Sequence, residues 1–232
     1  MMIRPSAARG RTRLDWLDSH HSFSFGDYFD PDHMGFGPLR VLNEDHVRGG
    51  AGFAAHGHRD MEIVTIVLSG ALAHRDSLGN GSIIRPGDIQ HMSAGTGIVH
   101  SEFNGSAAEP VHFLQIWILP DRAGHAPRYG QIHVPLAERA GRLRLLASGE
   151  GRDGTIPLHQ DADFLAGVLA PGERASLPVH AGRRVWVQVA GGSVELGGAR
   201  LEAGDGAGLT DEGSLDILAL TPSEIVVIDM GG

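Results

Sequence analysis

The feature that most restricts this chain is an internal repetition. The segment HRDMEIVTIVLSGALAHRDSLGNGSIIRPGDIQHMSAG can be laid over HAGRRVWVQVAGGSVELGGARLEAGDGAGLTDEG, so that His58 falls on His180, Gly70 on Gly192 and Gly87-Asp88 on Gly204-Asp205. One turn is five residues shorter in the second copy. Each copy reads strand, glycine turn, strand, Gly-Asp turn, strand. A duplicated unit has to bury its apolar face the same way twice, so two β-barrels of one design in a single chain is the economical reading.

The remaining sequence agrees. Helical periodicity is scarce, and runs rich in β-branched residues recur at 63–68, 113–119, 185–189 and 225–228. Such runs, separated by glycine turns, belong to an all-β sandwich or barrel. The stretch LPDRAGHAPRYGQ has the Pro/Gly-rich composition of a connection. The expected division is an N-terminal barrel over residues 1–120, a linker and crossover over 121–155, and a C-terminal barrel over 156–232.

Composition removes several chemistries. All 19 basic residues are arginine, so Schiff-base and Ser–Lys mechanisms are excluded. There is no cysteine, which rules out thiol nucleophiles, disulfides, zinc thiolates and iron–sulfur clusters. The net charge of −9 leaves no basic stripe for direct nucleic-acid contact. No apolar stretch reaches the length of a membrane span. The N-terminal MMIRPSAARGRTRLDWL has four arginines and no apolar core, unlike a secretory signal, so a cytoplasmic location is the expectation.

A metal held by such a chain must use nitrogen and oxygen, and there are 14 histidines. Residues 54–62 read AAHGHRDME, just before the apolar run at 63–68. In a strand that starts near residue 56, His56, His58 and Glu62 would share one face, because successive side chains alternate. A second cluster, GIVHSEFN at 97–104, puts His100 and Glu102 at i and i+2. Two neighbouring strands, each sending its pair inward, would gather three imidazoles and one or two carboxylates. Such a donor set suits iron(II), manganese, nickel or copper, with zinc less favoured because so many hard ligands suit a six-coordinate ion. The second copy keeps His180 but has no H-x-H, no counterpart of Glu62 and nothing like GIVHSEFN, so only the first half is expected to carry chemistry.

These segments also carry a resemblance. The pattern G-x5-H-x-H-x3-E-x7-G from Gly50 to Gly70 resembles the first cupin motif, and PGD at 86–88 with H-x3-N from His100 to Asn104 resembles the second. More specifically, MGFGPLRVLNEDHV, HGHRDMEIVTIVLSG, MSAGTGIVHSE and QIWILP, in that order, are similar to the bacterial pirin-like proteins, and the likeness runs over nearly the whole chain. It implies two cupin (jelly-roll) barrels, with one divalent ion in the N-terminal barrel only. That ion would be iron(II) first, with manganese, nickel, copper, cobalt or zinc as alternatives. The implied ligands are His56, His58, His100 and Glu102, with Glu62 behind them. The chain departs from the family at Gly57, where proline is common. It departs again at His91, where tryptophan or an apolar residue is usual, so His91 is expected as pocket wall near the metal.

The resemblance further implies a quercetin 2,3-dioxygenase activity: a flavonol-like aromatic substrate bound at the metal, Glu102 as general base for its 3-hydroxyl, and opening of the central ring by dioxygen with loss of carbon monoxide. The second reading is an iron-dependent transcriptional coregulator, acting through a regulatory protein partner. A monomer is expected. A deep apolar cavity at the metal would favour a substrate, and a shallow arginine-flanked rim a partner. The remaining histidines, His33, His46, His74, His112, His125, His133 and His159, show no constellation in sequence and read as structural or solvated. HHSFSF at 20–25 reads as an N-terminal strand packing on the second half, and DYFDPD at 27–32 as a solvated turn.

Overall fold

The structure, a computed structural model, describes residues 1–210 and 213–232. It forms two compact units: Gly10–His133 with Leu158–Gln160, and Met1–Arg9 with Val134–Pro157 and Asp161–Gly232.

The first unit pairs a seven-stranded and a four-stranded sheet. The larger sheet runs, in spatial order, Arg128–His133, Asp88–Ser93, Glu62–Ser69, Val111–Ile118, Leu39–Val47, Leu17–His21 and Gly10–Arg13. The smaller runs Gly52–His58, Ile98–Asn104, Leu72–Asp76 and Gly81–Ile84. Every pairing among these strands is antiparallel. Buried Val47, Val67, Leu72, Ile84, Val111 and Phe113 form an apolar core at one end of the unit. The second unit has the same two-sheet plan, with seven and four strands, around a larger aliphatic core that includes Val187, Val194, Leu209, Ile217 and Val227.

The repetition read in the sequence is present in the backbone. Glu62–Ser69 and Arg184–Gly191 hand over to Leu72–Asp76 and Ser193–Leu196 through Gly70 (φ 80°) and Gly192 (φ 78°). A Cβ at Gly70 would lie 2.6 Å from the Pro110 carbonyl oxygen, and one at Gly192 2.1 Å from that of Pro222. Only glycine fits either turn, for its left-handed φ and for this close approach.

The boundaries fall differently from expectation. Arg128–His133, placed in the linker, is a strand paired with Asp88–Ser93 in the first unit. Met2–Arg4 pairs with Gly206–Thr210, so residues 1–9 belong to the second unit. His20 and His21, expected in a strand against the second half, end the strand Leu17–His21, which pairs with Leu39–Val47 in the first unit's larger sheet. In each case a partner remote in sequence decides membership, and composition does not reveal such partners. Among the described residues, no helix is long and apolar enough to cross a membrane.

Candidate metal centre

The centre is built by two adjacent strands of the smaller sheet. Gly52–His58 and Ile98–Asn104 pair so that His56 stands opposite His100, and His58 opposite Ile98. Alternation along Ile98–Asn104 buries Ile98, His100, Glu102 and Asn104 and turns Val99 and Phe103 outward. Beyond His100 the register shifts, and Glu102 pairs with Phe53. Such a bulge re-aims side chains, and the ladder here carries one extra residue between Phe53 and His56. Within it, the His56 Nδ1–H donates to the Ala54 carbonyl at 2.8 Å. That bond fixes the tautomer and leaves the Nε2 lone pair facing inward.

Three ring nitrogens converge. The Nε2 atoms of His58 and His100 are 2.9 Å apart, and those of His100 and His56 3.0 Å. Burial, then the neighbouring imidazole of His56, lowers His58 to about 4. Burial with His56, His58 and His74 lowers His100 to about 3. Both rings are therefore neutral at neutral pH, and each keeps one ring nitrogen able to bind a cation. Three imidazole nitrogens gathered this closely form a group that can hold a cation.

Glu102 supplies the acid. It is buried, and its Oε2 accepts a 2.8 Å hydrogen bond from Gln115 Nε2, whereas its Oε1 has no hydrogen-bond partner. Burial raises the carboxyl to about 7, against the opposing bond from Gln115. Glu102 Oε1 thus lacks the positive or hydrogen-bonding partner that a buried carboxylate requires. His56, His58 and His100 form one ligand-capable group, and His100 is shared with a second that contains Glu102, so the donors present are of the kind that takes a divalent ion.

His74 is an addition that sequence reading missed. It lies directly across from Glu102 on Leu72–Asp76, is buried, and its Nε2 bonds Asp76 at 3.3 Å. It forms a ligand-capable group with His100 and Glu102. Gln115 and Trp117 were also missed: Trp117 Nε1 donates to Gln115 Oε1 at 3.3 Å, and its ring meets His58 edge to face at 4.8 Å.

Glu62 and His91 lie elsewhere. Asp60 adopts a left-handed φ of 49° and ends the strand at His58, so Glu62 begins a new strand in the other sheet and does not share a face with His56 and His58. Its carboxylate accepts hydrogen bonds from His91 Nε2 (2.8 Å), Ser93 Oγ (2.5 Å) and the His159 backbone N–H (3.1 Å). Among the described residues neither Glu62 nor His91 hydrogen-bonds a candidate ligand, and His91 is a buried partner of Glu62 rather than pocket wall. Gly57 needs no glycine: a Cβ there would make ordinary contacts at 3.7 and 3.9 Å.

A cavity of about 590 Å³ opens onto the centre. Trp16, Phe25, Phe53 and Trp117 give it aromatic walls, and Ser19, His21, Asn43 and Asp45 a polar side, with His56, His58 and Glu102 in its lining. No arginine lines it among the described residues. A more open depression of about 700 Å³ along residues 73–83 contains none of the four candidate ligands, so room for a substrate at the metal lies in the first.

Two units of one two-sheet plan, with an all-N/O donor set in the first alone among the described residues, define a bicupin of the metal-binding kind. The chain belongs to the pirin family. Residues 3–118 match Pirin, and residues 145–230 match the quercetinase C-terminal cupin domain. It is 42% identical over 228 residues to the quercetin 2,3-dioxygenase of Escherichia coli K12, covering 98% of this chain and 97% of that one. A pirin-like protein of Caulobacter vibrioides is 42% identical over 227 residues, 97% of each chain. The crystal structure of the bacterial pirin YhhW from Escherichia coli in complex with nickel(II) superposes with a TM-score of 0.94 at 41% identity, over 99% of this chain and 98% of that one.

Proposed function

We propose that this chain is a metal-dependent dioxygenase that opens the central ring of a flavonol such as quercetin. The observation that carries the reading is the position of the donor set at the wall of an aromatic-sided cavity whose volume suits a small aromatic ligand. The name of the Escherichia coli relative supports the same reaction class, and the nickel(II) complex of YhhW supports a divalent ion. Iron(II) is the ion proposed here. When bound, it would supply Lewis acidity that acidifies the substrate's 3-hydroxyl, and a site for reaction with dioxygen.

The chain's own groups do the rest. Glu102, raised to about 7 by burial, can accept the 3-hydroxyl proton near neutral pH at its unpartnered Oε1. Gln115 holds the other oxygen in place. Trp117 and Phe53 offer faces and edges to the planar rings. Asp45, buried and raised to about 7 by the same cause, has an unpartnered Oδ1 and lines the cavity, so it can hydrogen-bond a phenolic oxygen. Both oxygen atoms of dioxygen enter the ring-opened product, and one ring carbon leaves as carbon monoxide. An aromatic cavity free of arginine in its lining favours this reading over a protein-docking coregulator.

The test is dioxygen uptake by the iron(II)-loaded chain given quercetin. Uptake should match quercetin loss and vanish in His56→Ala. A fully iron-loaded protein that consumes no dioxygen would sink the enzyme reading.

A further inference from the structure

The strand Leu39–Val47 has two chemistries on its two faces. Asn43 and Asp45 point into the cavity, and Glu44 and His46 point the other way. On that outer side His46 stands directly opposite His112 of Val111–Ile118, and on its other flank opposite Asp18 of Leu17–His21. Glu44 stands opposite His20. Three adjacent strands thus bring three histidines and two carboxylates to one outer face.

The side chains are already close. His112 Nε2 donates to Glu44 Oε1 at 2.9 Å. The His46 and His112 rings lie 3.9 Å apart, tilted by 16°. One donor atom from each of Glu44, His46 and His112 falls within 4.8 Å of the other two. A tetrahedral ion with ligands at about 2.1 Å holds its donor atoms about 3.4 Å apart, so modest side-chain rotations close the set.

We propose that Glu44, His46 and His112 form a second divalent-metal site, on the outer face of the first barrel and separate from the centre at His56, His58, His100 and Glu102. Two imidazole nitrogens with one carboxylate select a borderline ion, zinc(II), nickel(II) or copper(II), over magnesium or calcium, which take oxygen. The hydrogen bond between His112 and Glu44 does not involve His46. The metal gives that exposed ring its place in the group. The donors come from two hydrogen-bonded strands, so their spacing is set by the ladder and little backbone ordering is needed on binding. An ion here would also clip together the two central strands behind the cavity, one of which carries Asn43 and Asp45.

The test is independent of catalysis. Tag-free, metal-stripped full-length chain is dialysed against zinc(II), and bound metal is counted by elemental analysis. The wild type should bind two ions per chain. His46→Ala should bind one, and His58→Ala should still fill the outer site. His46 lies on the exposed face of a strand, so its replacement leaves the buried side of the sheet untouched. His112→Gln, which keeps a side chain able to hydrogen-bond Glu44, should also bind one. A His46→Ala chain that binds as many ions as the wild type, or a His58→Ala chain that binds none, overturns the site.

Discussion

At Glu102 the two oxygens of one carboxyl meet different surroundings. Oε2 is tied through Gln115 to Trp117, and Oε1 is left for the metal or for a substrate proton. Gln115 therefore orients a proposed ligand without being one. Gln115→Met, similar in volume, removes the hydrogen bond that favours the charged carboxylate. It should weaken iron(II) or nickel(II) binding by about 10–100-fold, as the loss of such supporting bonds typically does. Competition with a chromophoric chelator would measure this, and circular dichroism would confirm an unchanged fold. The four candidate ligands were legible because H-x-H and H-x-E put donors on one face of each strand. Gln115 had a weaker signal, a lone amide inside the apolar run of QIWILP. His74 had none, since its partner Glu102 lies across a ladder whose register no local pattern reveals.

The cluster around Glu62 shows what an element boundary can hide. Alternation predicts a shared face only while a strand continues. The break at Asp60, a residue type that tolerates left-handed φ, moves Glu62 to another sheet. There it joins Glu62–Ser69 to Asp88–Ser93 through His91 and Ser93. Burial alone would raise this carboxyl, yet the bonds from His91, Ser93 and the His159 backbone hold it at about 2, against an ordinary 4.5. A carboxyl depressed in the folded state stabilises the fold above its unfolded value and loses that contribution as pH falls toward the folded one. The window here runs from about pH 5 down to pH 2 and is worth roughly 3 kcal/mol. Glu62→Gln should lose stability at pH 7, and its urea-unfolding free energy should fall less steeply than the wild type's across that window. Parallel acid limbs in the two proteins would refute the assignment.

At the scale of the whole chain, the duplication and the β class were readable from spacing. The allocation of the ends was not. Met2–Arg4 pairs with Gly206–Thr210, and the Ser6 backbone N–H donates to Asp205 Oδ1 at 2.6 Å. A chain that starts at Gly10 should lower the calorimetric midpoint of the C-terminal unit by about 2–10 °C and leave metal content at His56, His58 and His100 unchanged. The same pairing has a consequence for synthesis. Residues 1–9 leave the ribosome long before their partner strand Gly206–Thr210, so the nascent chain carries an unmatched β segment throughout that interval. Arginines at positions 4 and 9 give that waiting segment a charge that discourages pairing with other chains, and the second unit gains its outermost strand only after Gly206–Thr210 has emerged.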